Sequence, residues 1–291
     1  MGGWQYMAKS EPVISVKNLT TGYGNRVVVK NINADFFAGE LVGIIGCNGA
    51  GKSTFLKTIR GLLPKLGGEI SILGKPVAEM EEKEFATQVA YLQQNVEIGF
   101  GYTGKDIVLA GRYPYMKWWQ KENQKDIDLA LACLQYTGTL ELADEPVNQV
   151  SGGQRQRIFL AKILAQQTPI LFLDEPTTGL DMVYQEEIFR FSRELARKGK
   201  TILMVVHELN YAAEYCNRII LVGEGKILAD GRPEAVLTSE LLSRAYNARV
   251  TVERNAATGS IEIHTSTAAA AINGNKELLD KICQVDYTHA E

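Results

Sequence analysis

Eight consecutive residues constrain this chain more tightly than any others. Gly46-Cys47-Asn48-Gly49-Ala50-Gly51-Lys52-Ser53 satisfies the pattern G-x-x-x-x-G-K-[ST]. A short apolar run at 41–45 precedes it, and helix-forming residues 53–63 follow until Pro64. Strand, glycine loop and helix is the context the pattern requires. The glycines let backbone amides turn inward around the phosphates of a nucleotide, while the following helix offers its positive end. Lys52 is expected to reach the β and γ phosphates, Ser53 to place its hydroxyl on Mg²⁺, and Thr54 to add a further phosphate donor. A bare glycine turn would be only a turn. With Lys52 and Ser53 also in place the segment reads as a phosphate site, and its spacing is not the G-x-G-x-x-G of dinucleotide folds.

Three further segments fit around it. Ile170-Leu-Phe-Leu-Asp174-Glu175 puts two carboxylates at the end of a predicted buried strand, 122 residues after Lys52. There Asp174 can hold Mg²⁺ through water and Glu175 can take a proton from an attacking water. His207 ends the next predicted strand, 201–206, and a right-handed crossover would bring it to the same carboxyl edge. Ser151-Gly152-Gly153-Gln154 opens a helix as an S-x-x-Q capping box. The cap accounts for Ser151 and Gln154 but not for two glycines in a first turn, which make sense where a phosphate must approach the backbone. Taken singly, each segment has a plainer reading as solvated loop, structural histidine or helix cap; following the glycine loop, they read as one site.

The rest of the chain supplies a framework. With 291 residues, 45% hydrophobic and 22% charged, it has ample material for a folded core. A net charge of −3 offers no basic field for nucleic acid. The apolar runs fall far short of the ~20 residues that span a bilayer, and the start has no basic segment followed by an apolar one, so a cytoplasmic location is expected. Four cysteines, at 47, 133, 216 and 283, are widely spaced without CxxC and read as free thiols. Strand signals run from 13 to Tyr23, with a turn at Gly24-Asn25, and recur at 69–73 and 88–92. Residues 103–167 turn helical, with a possible capping box at Thr103 and Asp106. The runs 170–173 and 201–206, separated by helical 184–198, have the rhythm of a parallel βαβ layer. A hairpin is expected at 219–222 and 226–229. Residues 250–291 change character, with a small hairpin across Thr258-Gly259, an AAAA run and an amphipathic helix near 276–282.

In this order the motifs resemble those of the ATP-binding cassette (ABC) ATPases of membrane transporters, over roughly residues 12–250. The resemblance implies an α/β P-loop NTPase (RecA-like) core with parallel-sheet layers, an antiparallel β subdomain and an α-helical subdomain at about 97–167. Residues 1–11 and 251–291 would be extensions. It implies that Tyr23 stacks on adenine, and that the backbone of Gly46, Asn48, Gly49, Ala50 and Gly51, with Lys52, Ser53 and Thr54, holds the phosphates of ATP. Gln94 in VAYLQQ would be the Q-loop glutamine, sharing Mg²⁺ with Ser53 and Asp174. Glu175 would be the catalytic base and His207 the switch histidine, acting with Gln94 and Lys52. The signature would be Ser151, Gly152, Gly153 and Gln154, and the D-loop would carry Asp181. In that family two cassettes meet head to tail, each ATP lying between the phosphate loop of one and the signature of the other. The implied partners are therefore a second copy, transmembrane permease subunits and, indirectly, an extracytoplasmic substrate-binding protein. The chain would be peripheral on the inner face of the cell membrane.

Gly111-Arg112-Tyr113-Pro114, followed by Tyr115, Trp118 and Trp119, is similar to the GRYP segment of importers for ferric siderophores, haem and cobalamin. The plainer alternative is that Pro114 ends a helix with aromatics packed beneath it. Another importer or an exporter stays open. A soluble cassette acting on DNA ends or ribosomes fits less well, because only 98 residues separate Lys52 from Ser151, without sustained heptads. Two positions depart from the usual pattern: Cys47 and Gln93 stand where many relatives carry Pro or Ser. Neither slot contributes a side chain to the chemistry.

Overall fold

The computed structural model describes residues 11–93, 99 and 101–266. Gln94, residues 1–10 and the helix expected near 276–282 lie outside the described residues. The chain opens with a hairpin, β1 (Ile14–Tyr23) and β2 (Arg26–Phe36), closed at Tyr23↔Arg26 around the anticipated turn. β3 (Leu41–Ile45) is wholly buried and runs through the glycine loop into α1 (Lys52–Ile59). β4 (Lys65–Ile72) returns antiparallel to β1, and the short β5 (Lys75–Pro76) completes a four-stranded sheet in the order β2-β1-β4-β5. Next comes α2 (Glu82–Gln88), which leads directly into β6 (Val89–Leu92).

A helical insert follows, built from α3 (Gly104–Leu109), α4 (Gln124–Tyr136) and α5 (Gly152–Ala165). Its starts are locally encoded: Thr103 with Asp106, Asn123 with Asp126, and Ser151 with Gln154 all form reciprocal capping boxes. Val108, Ala130, Leu134, Ile158 and Ala161 give it a small core of its own. The chain then alternates through β7 (Ile170–Asp174), α6 (Met182–Arg197), β8 (Thr201–Val205), α7 (Leu209–Tyr215), β9 (Arg218–Gly223) and β10 (Lys226–Gly231). It continues with α8 (Pro233–Val236), α9 (Ser239–Tyr246) and the hairpin of β11 (Arg249–Arg254) and β12 (Ile261–Ser266). Among the described residues no helix is long and apolar enough to cross a membrane.

The central sheet has the order β10-β9-β3-β8-β7-β6, parallel except for the β9–β10 hairpin. Its apolar strands are explained by burial on both faces. Val42, Ile44, Phe172, Leu203 and Val205 pack toward α1 and the antiparallel sheet, whereas Leu41, Ile45, Leu173, Ile202 and Met204 pack toward α5, α6 and α7. The alternation follows from the two-residue period of a strand. Because β3, β8 and β7 are neighbours and parallel, their carboxyl ends deliver the glycine loop, His207 and the Asp174-Glu175 pair to one edge. Ligands bind at such edges in open α/β sheets.

Candidate nucleotide site

The glycine loop is held open by residues that only glycine can be. Gly46 has φ 146° and a Cβ there would stand 2.1 Å from the Val222 carbonyl oxygen. Gly51, at φ 99°, is the N-cap of α1, and no side chain caps that helix. The first amides of α1 are therefore left for an external acceptor. The Lys52 ammonium donates to the carbonyls of Gly46 (2.8 Å) and Cys47 (3.1 Å). Burial lowers its pKa, opposed first by the negative charge of Glu175 and then by Cys47 and Asp174. Cys47 itself packs against the apolar layer between the sheets, and Cys47, Cys133 and Cys216 are free thiols.

Asp174 is fully buried at the end of β7 and is gripped on both oxygens. Ser53 Oγ donates to Oδ1 at 2.7 Å, and Tyr91 Oη donates to Oδ2 at 3.0 Å. Burial, followed by the adjacent carboxylate, pushes the Tyr91 phenol far up, so it stays a donor. Ser53 and Asp174 thus present two hard oxygens in contact beside the phosphate loop. That sparse set suits Mg²⁺, which takes its remaining positions from phosphate and water.

Glu175 follows in the left-handed region at φ 52°, an unusual conformation for a residue with a side chain. The turn aims its carboxylate back toward the loop. Its Oε1 lies 2.7 Å from His207 Nε2, and its Oε2 accepts from Thr178 Oγ1 at 3.3 Å. A cavity of about 500 Å³ joins Tyr23, Asn48, Gly49, Gly51, Lys52, Ser53, Thr54 and Glu175 in one wall. Tyr23 is 54% exposed at its rim, where a flat ring can receive a base.

Not every residue of the sequence-derived set meets here. Gln94 lies outside the described residues, and Ser151, Gly152, Gly153 and Gln154 do not line the cavity. They sit at the start of α5, where Ser151 Oγ accepts from Gln154 N (3.2 Å) and Gln154 Oε1 from Ser151 N (2.9 Å). Asp181 caps α6, accepting from the amides of Val183 and Tyr184. Conversely, Arg26 and Val28 on β2 line the cavity, and Tyr91 touches Asp174, though sequence reasoning named none of them. Only the hairpin register and the β6–β7 pairing bring them in.

The GRYP segment resolves into two parts. Arg112 is nearly buried, pairs with Asp126 at 3.0 Å, donates to the Ala165 carbonyl and lies over the Tyr115 ring. Tyr115 donates in turn to the Gln166 carbonyl. These residues lock the helical insert together. Tyr113, Trp118 and Trp119 point outward, with Trp118 91% exposed, and Tyr115 is itself 43% exposed, so the aromatics do not form a layer packed beneath Pro114.

Comparison with known proteins agrees with this geometry. The ABC transporter family model matches residues 29–178. The ferric enterobactin transport ATP-binding protein FepC of Escherichia coli is 38% identical over 84% of this chain and 90% of its own length. The manganese transport system ATP-binding protein MntB of Bacillus subtilis is 39% identical over 82% and 94%. Among solved structures, a metal-chelate type ABC transporter in an inward-facing conformation superimposes with a TM-score of 0.77 at 26% identity, over 90% of this chain and 100% of that one. A dimeric bacterial ABC transporter cassette does so with 0.68 at 29% identity, over 76% and 98%. The phosphate loop, the buried aspartate and the glutamate–histidine pair therefore stand on the P-loop NTPase fold of an ABC ATPase, and the chain belongs to the ABC transporter family.

Proposed function

We propose that this chain is the ATP-hydrolysing subunit of an importer that moves an iron chelate, a ferric siderophore or haem, through a separate permease. The observation that carries the enzymatic part is the 2.7 Å contact between His207 Nε2 and Glu175 Oε1 at the wall of the phosphate cavity. Incoming phosphate takes the Lys52 ammonium from the carbonyls of Gly46 and Cys47, an exchange of neutral acceptors for charged ones. The amides of the first turn of α1 and those of the glycine loop other than Gly46, whose N–H donates to Tyr246 Oη, hold the phosphate oxygens. Ser53 and Asp174, with Gln94 as a third ligand, would hold a Mg²⁺ ion, and that ion would supply positive charge to offset the charge of the transferred phosphoryl group. Glu175 takes the proton of the attacking water, and His207 fixes the carboxylate in position to do so.

The cavity is lined by the phosphate loop, the first hairpin and Glu175, without any signature residue. Ser151, Gly152 and Gly153 sit apart from it at an exposed helix start, so a second copy, arranged head to tail, would bring its signature over the nucleotide. Tyr23 would stack on adenine, and Asp181 would face the partner across the same interface. The outward Tyr113, Trp118 and Trp119 form an aromatic surface on the helical insert suited to a permease, and with such a partner the chain would lie on the cytoplasmic face of the membrane. An extracytoplasmic binding protein would deliver cargo to that permease.

The cargo assignment rests on the GRYP segment and on the names of the relatives, one of which transports manganese. The test is uptake of labelled ferric siderophore, haem, cobalamin and Mn²⁺ in cells lacking this chain, complemented with wild type or Glu175→Gln. Loss of iron-chelate uptake, restored only by wild type, supports the proposal. Loss of Mn²⁺ or cobalamin uptake instead reassigns the cargo.

A further inference from the structure

The first amide of the phosphate loop donates to a side chain 200 residues away: Gly46 N–H to Tyr246 Oη, at 3.2 Å. Tyr246 is the last residue of α9, which ends at Asn247 in the left-handed conformation and turns back into β11. The return is stitched by two serines. Ser243 Oγ and Ser239 Oγ accept from the amides of Val250 and Val252, each at 3.0 Å. Residues four apart on a helix lie about 6 Å apart, near the spacing of alternate strand residues, so one helix face can satisfy a strand edge. β12 pairs along β11 from Ile261 to Ser266. The outer edge of β12 is met by Asn210, whose Oδ1 accepts from Ile263 N–H at 2.9 Å. Asn210 lies in the first turn of α7, three residues after His207.

The α9–β11–β12 unit thus touches the two loops of the site at separate points. At one end Tyr246 holds Gly46, whose carbonyl holds the Lys52 ammonium. At the other, Ile263 holds the start of the helix that follows His207, which contacts Glu175. We propose that this C-terminal unit is a bracket that sets the phosphate loop and the switch loop relative to each other, with Tyr246 and Asn210 as positioning residues. The inference rests on the ATPase reading above. Tyr246 acts on nucleotide binding, because losing its hydroxyl leaves the Gly46 amide unmatched and releases the start of the phosphate loop, whose following amides must converge on the phosphates. Asn210 acts on the chemical step, because it sets where His207 holds Glu175.

The test uses the full chain, with titration of ATP and ADP by calorimetry and steady-state ATPase assays. Tyr246→Phe is expected to weaken binding of both nucleotides about three- to tenfold while kcat is retained. Asn210→Ala is expected to lower kcat by a similar factor with nucleotide affinity retained. Asn210→Asp keeps the acceptor oxygen and restores kcat. Unchanged affinity in Tyr246→Phe, or Asn210→Asp as slow as Asn210→Ala, overturns the bracket. Equal loss of affinity and kcat in both variants overturns it too, since that marks general loosening. Wild type that binds no ATP overturns the ATPase reading and the bracket with it.

Discussion

The helix at the phosphate loop, α1, and the helix at the proposed signature, α5, both start beside glycines, and they satisfy their first turns in opposite ways. At α1 the N-cap is Gly51 and no side chain caps the turn. At α5, Ser151 and Gln154 close a reciprocal capping box. An uncapped helix start with a lysine and a serine beside it is ready for an anion, because its amides have no other acceptor. A capped start is stable by itself and offers its glycine backbone and exposed serine to something that arrives later. The contrast explains why Lys52, Ser53, Asp174, Glu175 and His207 gather in one chain while residues 151–154 stand apart. On the proposed head-to-tail arrangement, one helix completes a site and the other supplies half of a second.

The largest effect that sharpens this contrast is expected from Glu175→Gln. It should lower kcat about 10²- to 10⁴-fold while ATP affinity, set by the α1 side, stays near that of wild type. Hydrolysis at the wild-type rate would remove Glu175 from the role of base. Lys52→Ala comes next, weakening ATP binding about ten- to hundredfold through the loss of charge-assisted hydrogen bonds, as read by titration of the isolated chain. Ser151→Ala should cost about 1 kcal/mol of stability through its cap. It should leave ATP affinity of the isolated chain unchanged yet slow turnover; weaker binding at low protein concentration would break the division between the helices. The smallest effect is expected from Tyr91→Phe, which removes one of the two donors on Asp174. The Mg²⁺ concentration for half-maximal nucleotide binding should rise about two- to fivefold, and an unchanged value would make Tyr91 a packing residue only.

The parts of this molecule legible in sequence are those whose cause is local. Glycine loop, capping boxes and buried strands each announce themselves within a few residues, and β3, β7 and β8 carry an uninterrupted apolar pattern because both faces are covered. β2 was not legible as a strand, since Lys30, Asn31 and Asn33 interrupt it and Asn31 takes a left-handed conformation at an irregular register. The run at 88–92 reads as a strand, but nothing local assigns it to the edge of the parallel sheet rather than to the antiparallel one. At the site, the loop, the carboxylates and the histidine follow from motif order. Tyr91, Arg26, Tyr246 and Asn210 do not, because each earns its place through strand pairing or packing over tens to hundreds of residues.

The central claim is that one chain's α1 side must meet another chain's α5 side. It is tested most directly by mixing two variants in a Glu175→Gln background, one carrying Lys52→Ala and the other Ser151→Arg, and measuring mass by analytical ultracentrifugation with Mg·ATP. Head-to-tail pairing leaves one intact site in the mixture and none in either variant alone. The expected result is ATP-dependent dimer in the mixture only. Dimer formation by the Ser151→Arg variant alone, or monomers throughout the mixture while the parent Glu175→Gln chain dimerises, would contradict the account.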